Sequence, residues 1–326
     1  TYTVQRCESQ MGLFFFLTLY LAIRGWDSKK PLVWRILAVL ACLAGVMSKQ
    51  VMAAAPVMVL LYDMVFMRRS LWGAIKRSPL LYLGMAGCLA YMAWVILNVS
   101  GPPVLTSGGD QGITPWEYIR SQPEIILHYF RLAIWPSGLT LDYWWPVSSV
   151  GRAVPFAIGL GVIALSSLWL LIKRNPVGYL GAWVFVILAP TSSGASPLNL
   201  AFEHRMYLPL AAFAALFACG GYLLIRRYAQ RLAAAHNQTT EQAKGDETQE
   251  RGSNGDSSES PREPMDPAHA TASLGRIALI IVVVILSMLT LYRNLDYTSE
   301  YRIWADTVAK RPQNHRAHTN LGIALH

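Results

Sequence analysis

The sequence predicts an all-α polytopic membrane protein, and three observations predict it. The 326-residue chain is 53% hydrophobic and only 14% charged, whereas a soluble domain carries about 25% charged residues. Apolar runs recur at roughly 11–23, 32–47, 51–66, 80–97, 154–172, 177–190, 206–225 and 275–292. Short basic clusters alternate with them: Lys29, Lys30 and Arg35; Arg68, Arg69, Lys76 and Arg77; Lys173 and Arg174; Arg226, Arg227 and Arg231. If each run crosses once, all four clusters fall on one side, which the positive-inside bias makes cytoplasmic.

This distribution also accounts for the net charge of +9. The cations belong to short loops, so nucleic-acid binding is set aside. Eleven Trp and fifteen Tyr suit interfacial aromatic belts. Cys7, Cys42, Cys88 and Cys219 are scattered and form no C-x-x-C pair, so neither a zinc site nor a disulfide framework is expected. The chain begins at Thr1 and stops at His326 in what read as the middles of elements. It is therefore expected to be a piece cut at both ends, and a missing signal peptide carries no information.

Several runs are shorter than the roughly 20 residues of a simple span, so they extend into their flanks or tilt. Residues 122–136 mix Ile125, Ile126, Leu127, Phe130, Leu132, Ile134 and Trp135 with Glu124, His128 and Arg131. That mixture predicts an interfacial or re-entrant helix. Residues 229–272 hold almost no large apolar side chains and are expected to form a disordered cytoplasmic linker. A last membrane helix follows over 273–293. Residues 294–326 then suit a helix, a turn broken at Pro312 and a second helix, with Ala317 and Gly322 small enough for close packing. The pattern is that of a first tetratricopeptide unit or of an ordinary amphipathic hairpin. One such repeat cannot bury its own apolar face, so more are expected to follow.

The face opposite the basic clusters gathers a different set of residues. Arg6 and Glu8 lie in "VQRCESQMG", Lys49 in "MSKQVMAAAP", His128 and Asp142 farther on, and Glu203, His204 and Arg205 in "NLAFEHRMYLPL". Lys49 is either a snorkelling end-anchor or a cation that holds a phosphate, a role open to Arg205 and Arg6 through bidentate contacts. Glu203 and Arg205 read as a local ion pair or as part of a site. Asp142 to Trp145 either stack on a sugar or anchor the interface. The Gly- and Pro-rich loop 100–118 covers a site or merely connects helices.

The stretches "VQRCESQMGLFF", "SKQVMAAAPVMVLLYD" and "FEHRMYLPLAAF", together with the terminal repeat unit, resemble one family. It is the membrane-embedded glycosyltransferases of the GT-C fold that carry tetratricopeptide repeats, whose animal members are O-mannosyltransferases. The resemblance covers residues 1–228 and 273–326. It implies a GT-C-like helical bundle over 1–228, followed by the start of a tetratricopeptide array. It also implies sugar transfer, with inversion, from a polyprenyl-phosphate donor to a protein or glycan on the periplasmic or lumenal side. Lys49, Arg205 and Arg6 are then expected to hold the donor phosphate, and Glu203 to orient Arg205. His204, Glu8 and Tyr207 are expected to support the site. Relatives often carry Glu after the "SK" turn where Gln50 stands here. The family's catalytic acid lies in its first outer loop, which is expected upstream of Thr1, and neither Glu8 nor Glu203 is assigned to replace it. No cofactor is expected beyond the lipid-linked donor, and no ligand cluster supports a divalent metal.

Two other readings compete. In one, the membrane part anchors a non-catalytic tetratricopeptide scaffold for protein–protein interaction. In the other, the protein moves lipid-linked sugars, but the spans are almost free of charge, which ranks this last. The Arg- and Ala-rich composition leans towards a bacterial inner membrane rather than the endoplasmic reticulum.

Overall fold

The computed structural model describes residues 6–98, 113–193, 200–250 (side chains to 242) and 266–326. Regular structure among them is helical. The elements are α1 (Arg6–Asp27), α2 (Pro31–Ser48), a 3₁₀ turn (Gln50–Ala53), α3 (Ala54–Phe66), α4 (Leu71–Arg77), α5 (Pro79–Asn98) and α6 (Pro115–Ile134). They continue with α7 (Val150–Ile172), α8 (Pro176–Ser192), a 3₁₀ turn (Glu203–Met206), α9 (Leu210–Glu250), α10 (Pro267–Asp296), α11 (Glu300–Lys310) and α12 (His315–Ala324). Five helices are long and apolar enough to cross a membrane: α2, α5, α7, α9 over Leu210–Gln242, and α10. A sixth span results if Gln50–Phe66 and Leu71–Arg77, bent by 109° to each other, count as one. The protein is thus an all-helical, multi-pass membrane protein.

Each expected apolar run is largely helical, but three differ from a simple span. The run 11–23 lies in α1, whose ends carry Arg6, Glu8, Arg24 and Asp27. The run 177–190 lies in α8, whose 17 residues reach about 25 Å against a hydrocarbon core of about 30 Å. The run 51–66 ends at the sharp bend into α4. Ser70 caps α4 by accepting from the Gly73 amide, and Trp72 stands 71% exposed beside Lys76 and Arg77.

The chain divides into two units, one of 1–214 with 297–326 and one of 215–296. In the first, α1 packs on α2, α2 on α5, α3 on α8, α7 on α8 and α6 on α7. Close approaches are made where a side chain is missing. A Cβ on Gly45 would lie 2.6 Å from the Met52 sulfur, and one on Gly178 would overlap the backbone of Leu170 and Leu171. Trp183 of α8 meets Phe15 edge-on at 5.1 Å and stacks on Phe16 at 5.7 Å.

The turns α1–α2, α3–α4 and α7–α8 share one end of this unit. There Arg174 Nη1 donates to the Arg68 carbonyl at 2.6 Å, and both residues adopt positive φ (55° and 54°) where their helices stop. Buried Asp63 accepts from Arg69 at 2.8 Å and from the Tyr82 hydroxyl at 2.9 Å. Three of the expected basic clusters therefore gather at this end. Arg226, Arg227 and Arg231 lie on α9 in the second unit. In that unit α10 buries no residue, and Leu279, Ile280, Ile285 and Leu286 are all exposed. A helix apolar on every face suits lipid as its solvent.

Two expectations are corrected. The disorder expected over 229–272 is not what 229–250 and 266–272 show: α9 runs on to Glu250 and α10 begins at Pro267, while 251–265 lie outside the described residues. The Ala-rich stretch "AQRLAAAHNQ" has high helix propensity and continues a helix already nucleated by the span, so only propagation is needed. In the C-terminal hairpin, Ala317 is fully buried as expected, but a Cβ on Gly322 would face open space. Gly322 is therefore not a point of close packing among the described residues. The expected loop 100–118 also lies outside them as far as 112.

Gly178→Ala is expected to lower stability by about 1–3 kcal/mol through overpacking. Gly161→Ala, whose Cβ would meet nothing within 4 Å, should be neutral or slightly stabilising. Thermal unfolding of both variants in detergent checks the contrast.

Candidate functional site

At the end of the first unit opposite the α1–α2 turn, three segments converge on Glu8. Glu8 sits in the first turn of α1, where the helix dipole favours a carboxylate, and is only 4% exposed. Lys49 follows the last residue of α2 in extended backbone, with its N–H bonded to the Gly45 carbonyl at 3.1 Å. That break in the helix turns its ammonium back onto Glu8, and the two form an ion pair. His204 Nε2 lies 3.7 Å from the same carboxylate oxygen. Residues separated by 41 and by 196 positions thus meet at one anion.

The 3₁₀ turn that carries His204 is fastened to α6. The Tyr129 hydroxyl accepts from the Phe202 amide at 2.7 Å. Arg205 Nη1 donates to the Tyr118 hydroxyl at 2.8 Å and to the Leu200 carbonyl at 3.0 Å, and its guanidinium lies 5.5 Å above the Phe202 ring. Glu203 Oε1 accepts from the Thr140 amide at 2.9 Å and from the Tyr143 hydroxyl at 2.7 Å. Residues two apart on a 3₁₀ turn lie on different faces. Arg205 is held by Tyr118 and Leu200, and Glu203 anchors the 140–143 segment. Tyr207 lays its ring against Gly12 of α1, and the Trp183 indole donates to the Leu208 carbonyl at 2.9 Å.

Two spaces adjoin this cluster. One, of about 10 Å³, is lined by Glu8, Lys49, His204 and Arg205 with Thr191 and apolar neighbours; it has room for about one water. The other, of about 310 Å³, is lined by Thr140, Phe202, Glu203, His204, Met206 and Tyr207 among others. His204 lines both. Arg6 lines neither and is exposed. It stands two residues from Glu8 on a helix, about 200° around the axis, so the structure does not bring it to the cluster as expected. Among the described residues, no group of three His, Cys, Asp or Glu side chains is placed to hold a metal ion.

Burial, with Lys49 and then Arg205 nearby, pushes the His204 pKa down to about 4. Burial also pushes His128 down to about 4, assisted by Arg131 and Arg311. Both imidazoles are therefore neutral near pH 7, and His204 serves as a hydrogen-bonding group rather than a cation. Burial raises the pKa of Tyr143, and its Glu203 partner raises it further, so the phenol stays protonated and keeps donating.

The sequence reading missed the role of α6. Tyr118, Gln122, Ile125 and Tyr129 recur at i, i+4, i+7 and i+11 and are all buried; this stripe is visible in the sequence as one helix face. Glu124 is buried too, accepting from the Ser148 hydroxyl at 2.6 Å and from Arg152 at 2.5 Å, and so ties α6 to the start of α7. In comparisons with known proteins, the chain matches no family model, no curated protein and no solved structure.

The histidines set a pH dependence. Both folded values lie below the ordinary 6.5, so between about pH 6.5 and 4 the unfolded chain binds protons that the folded chain does not. The stability they contribute is present above pH 6.5 and is lost as pH falls through this window. Melting temperature in detergent is expected to decline from pH 6.5 to 5, and His204→Gln should flatten that slope. A slope unchanged from wild type in both His204→Gln and His128→Gln variants would show that other groups set it.

Proposed function

We propose that this chain belongs to a membrane glycosyltransferase that takes a sugar from a polyprenyl-phosphate donor. The supporting observation is the convergence of Lys49, His204 and Arg205 around Glu8 at one membrane-facing end, beside a cavity of about 310 Å³ that His204 also lines. In this reading the end bearing Arg24, Arg68 and Arg174 is cytoplasmic and the Glu8 end is periplasmic or lumenal, following the positive-inside bias. The GT-C likeness and the reading of α11–α12 as a tetratricopeptide unit belong to the same proposal, and rest on the motifs quoted above.

The chemistry asked of these residues is electrostatic. As the bond to the anomeric carbon breaks, negative charge grows on the leaving lipid phosphate. Arg205, already held in place by Tyr118 and Leu200, and Lys49 stabilise that charge. For Lys49 to contribute, the phosphate replaces Glu8 as its partner, and Glu8 then accepts a hydrogen bond from neutral His204. A preorganised donor of this kind is worth about 10²–10³-fold in turnover.

A second reading has a specific observation in its favour: Lys49 is already paired with Glu8, and Arg205 is already bonded to Tyr118 and Leu200. The cluster then only fastens the 200–208 segment to α1 and α6, and the protein is a membrane-anchored scaffold. Transfer of radiolabelled sugar from polyprenyl-phosphate donors in membranes carrying the full-length protein separates the two. Arg205→Ala and Lys49→Ala are each expected to lower transfer by about 10²-fold or more, with unchanged expression and detergent behaviour. Wild-type transfer that survives both substitutions assigns the residues to the scaffold role.

A further inference from the structure

The first unit has a larger cleft away from the Glu8 cluster, about 1030 Å³ in volume. One wall is the irregular stretch Tyr143–Val147, and the other is the α11–α12 turn from Lys310 to His315. The two walls are latched together beneath the cleft. Asp142 Oδ2 accepts from Arg316 Nη2 at 2.6 Å, its carbonyl accepts from Asn314 Nδ2 at 3.3 Å, and Lys310 Nζ donates to the Leu139 carbonyl at 2.8 Å.

Three features of this cleft define what fits it. Among the described residues its lining includes Lys310, Arg311 and His315 and no carboxylate, and since Lys310 already pairs with Asp306 at 2.7 Å, Arg311 is the cation the cleft presents. The Arg311 guanidinium lies 5.2 Å over the Tyr143 ring and 5.6 Å over the Trp145 ring, which holds its plane. Among the described residues, that guanidinium has no hydrogen-bond or ion-pair partner. Trp145 is 9% exposed, and among the described residues its buried indole Nε1 has no acceptor, a donor that costs free energy to leave unpaired. Finally, among the described residues the backbone N–H groups of Trp145 and Val147, on either side of Pro146, have no acceptor. Two backbone donors left without acceptors so close together suit the carbonyl oxygens of a peptide backbone.

We propose that this cleft binds an extended, acidic peptide segment. A carboxylate of the peptide takes the two parallel N–H donors of Arg311, and its backbone runs beside Tyr143–Val147. An acidic partner matches the Arg311 guanidinium, and the unpaired N–H groups of Trp145 and Val147 favour a polypeptide, whose backbone carbonyls can accept from both, over a glycan. The inference goes beyond sugar transfer and does not depend on it, because its readout is binding.

The experiment uses the full-length protein in nanodiscs and fluorescence anisotropy of a labelled peptide of alternating Glu and Thr. The matched Gln/Thr peptide and a polygalacturonate oligosaccharide are the comparisons. The acidic peptide is expected to bind, and to bind less tightly as salt rises. Arg311→Gln should weaken it about tenfold or more, and Arg311→Lys less, since Lys keeps the charge but loses the planar fork. Lys30→Gln, at the other end of the unit, should leave affinity unchanged. Circular dichroism and Arg316→Lys report whether the hairpin latch stays intact. Equal affinity for the Gln/Thr peptide, or full affinity in folded Arg311→Gln, overturns the proposal. Binding of the uronate without the peptide overturns the polypeptide assignment.

Discussion

The ion pair between Glu8 and Lys49 is the interaction on which the architecture of the polar end depends. A carboxylate that is 4% exposed is costly to bury without a partner, and here a cation meets it. The cation arrives because α2 stops at Ser48 and the backbone of Lys49 becomes extended. Had the helix continued, the side chain would have pointed along α2. The same carboxylate then locates His204, and with it the 3₁₀ turn and the first residues of α9. One buried charge thereby sets the mutual position of α1, α2, α3 and the 200–208 segment.

α6 supplies the complementary constraint. Its Thr114–Glu117 capping box fixes where it begins, with Thr114 N donating to the Glu117 carboxylate at 2.9 Å and Glu117 N donating back to Thr114 Oγ1 at 3.3 Å. The start fixes the register of the tyrosine stripe, and the stripe holds both Arg205 and the Phe202 amide. A tyrosine offers an apolar body and one polar atom, which is what a helix needs when it packs against a backbone turn rather than another helix. The Glu124–Arg152 pair completes the arrangement by fixing the entry of α7.

Much of the membrane part was legible in the sequence, because a span announces itself by an unbroken apolar run and its ends by cations. The helical hairpin at 300–324 was legible from its Pro break. Other features were not. The extension of α9 past residue 229 looked like linker, since low apolar content says nothing about a helix propagated from a neighbouring span. Arg6 looked like a neighbour of Glu8 because sequence proximity ignores the turn of a helix. The distant partners of Glu203 and Arg205 could not be read, because adjacency in the chain suggests a local pair and says nothing of Thr140, Tyr143, Tyr118 or Leu200, to which they also bond. The Asp142–Arg316 bond was hidden for a simpler reason: its two ends lie 174 residues apart.

That separation has a consequence for how the protein is made. The segment around Asp142 is synthesised well before Arg316 and Asn314, and Trp144 beside it adopts a φ of 41°, steadied by the Asp142 carboxylate accepting from its amide at 3.2 Å. At ribosomal rates of about 5–20 residues per second, the latch waits roughly 10–35 s for its partner. During that interval the first unit has its membrane helices but not its closing hairpin, and the whole of α10 must be made before the hairpin emerges. The assembly of this end therefore waits for the last part of the chain, and a nascent chain stalled before residue 314 would leave the aromatic stretch at 143–147 without its covering hairpin.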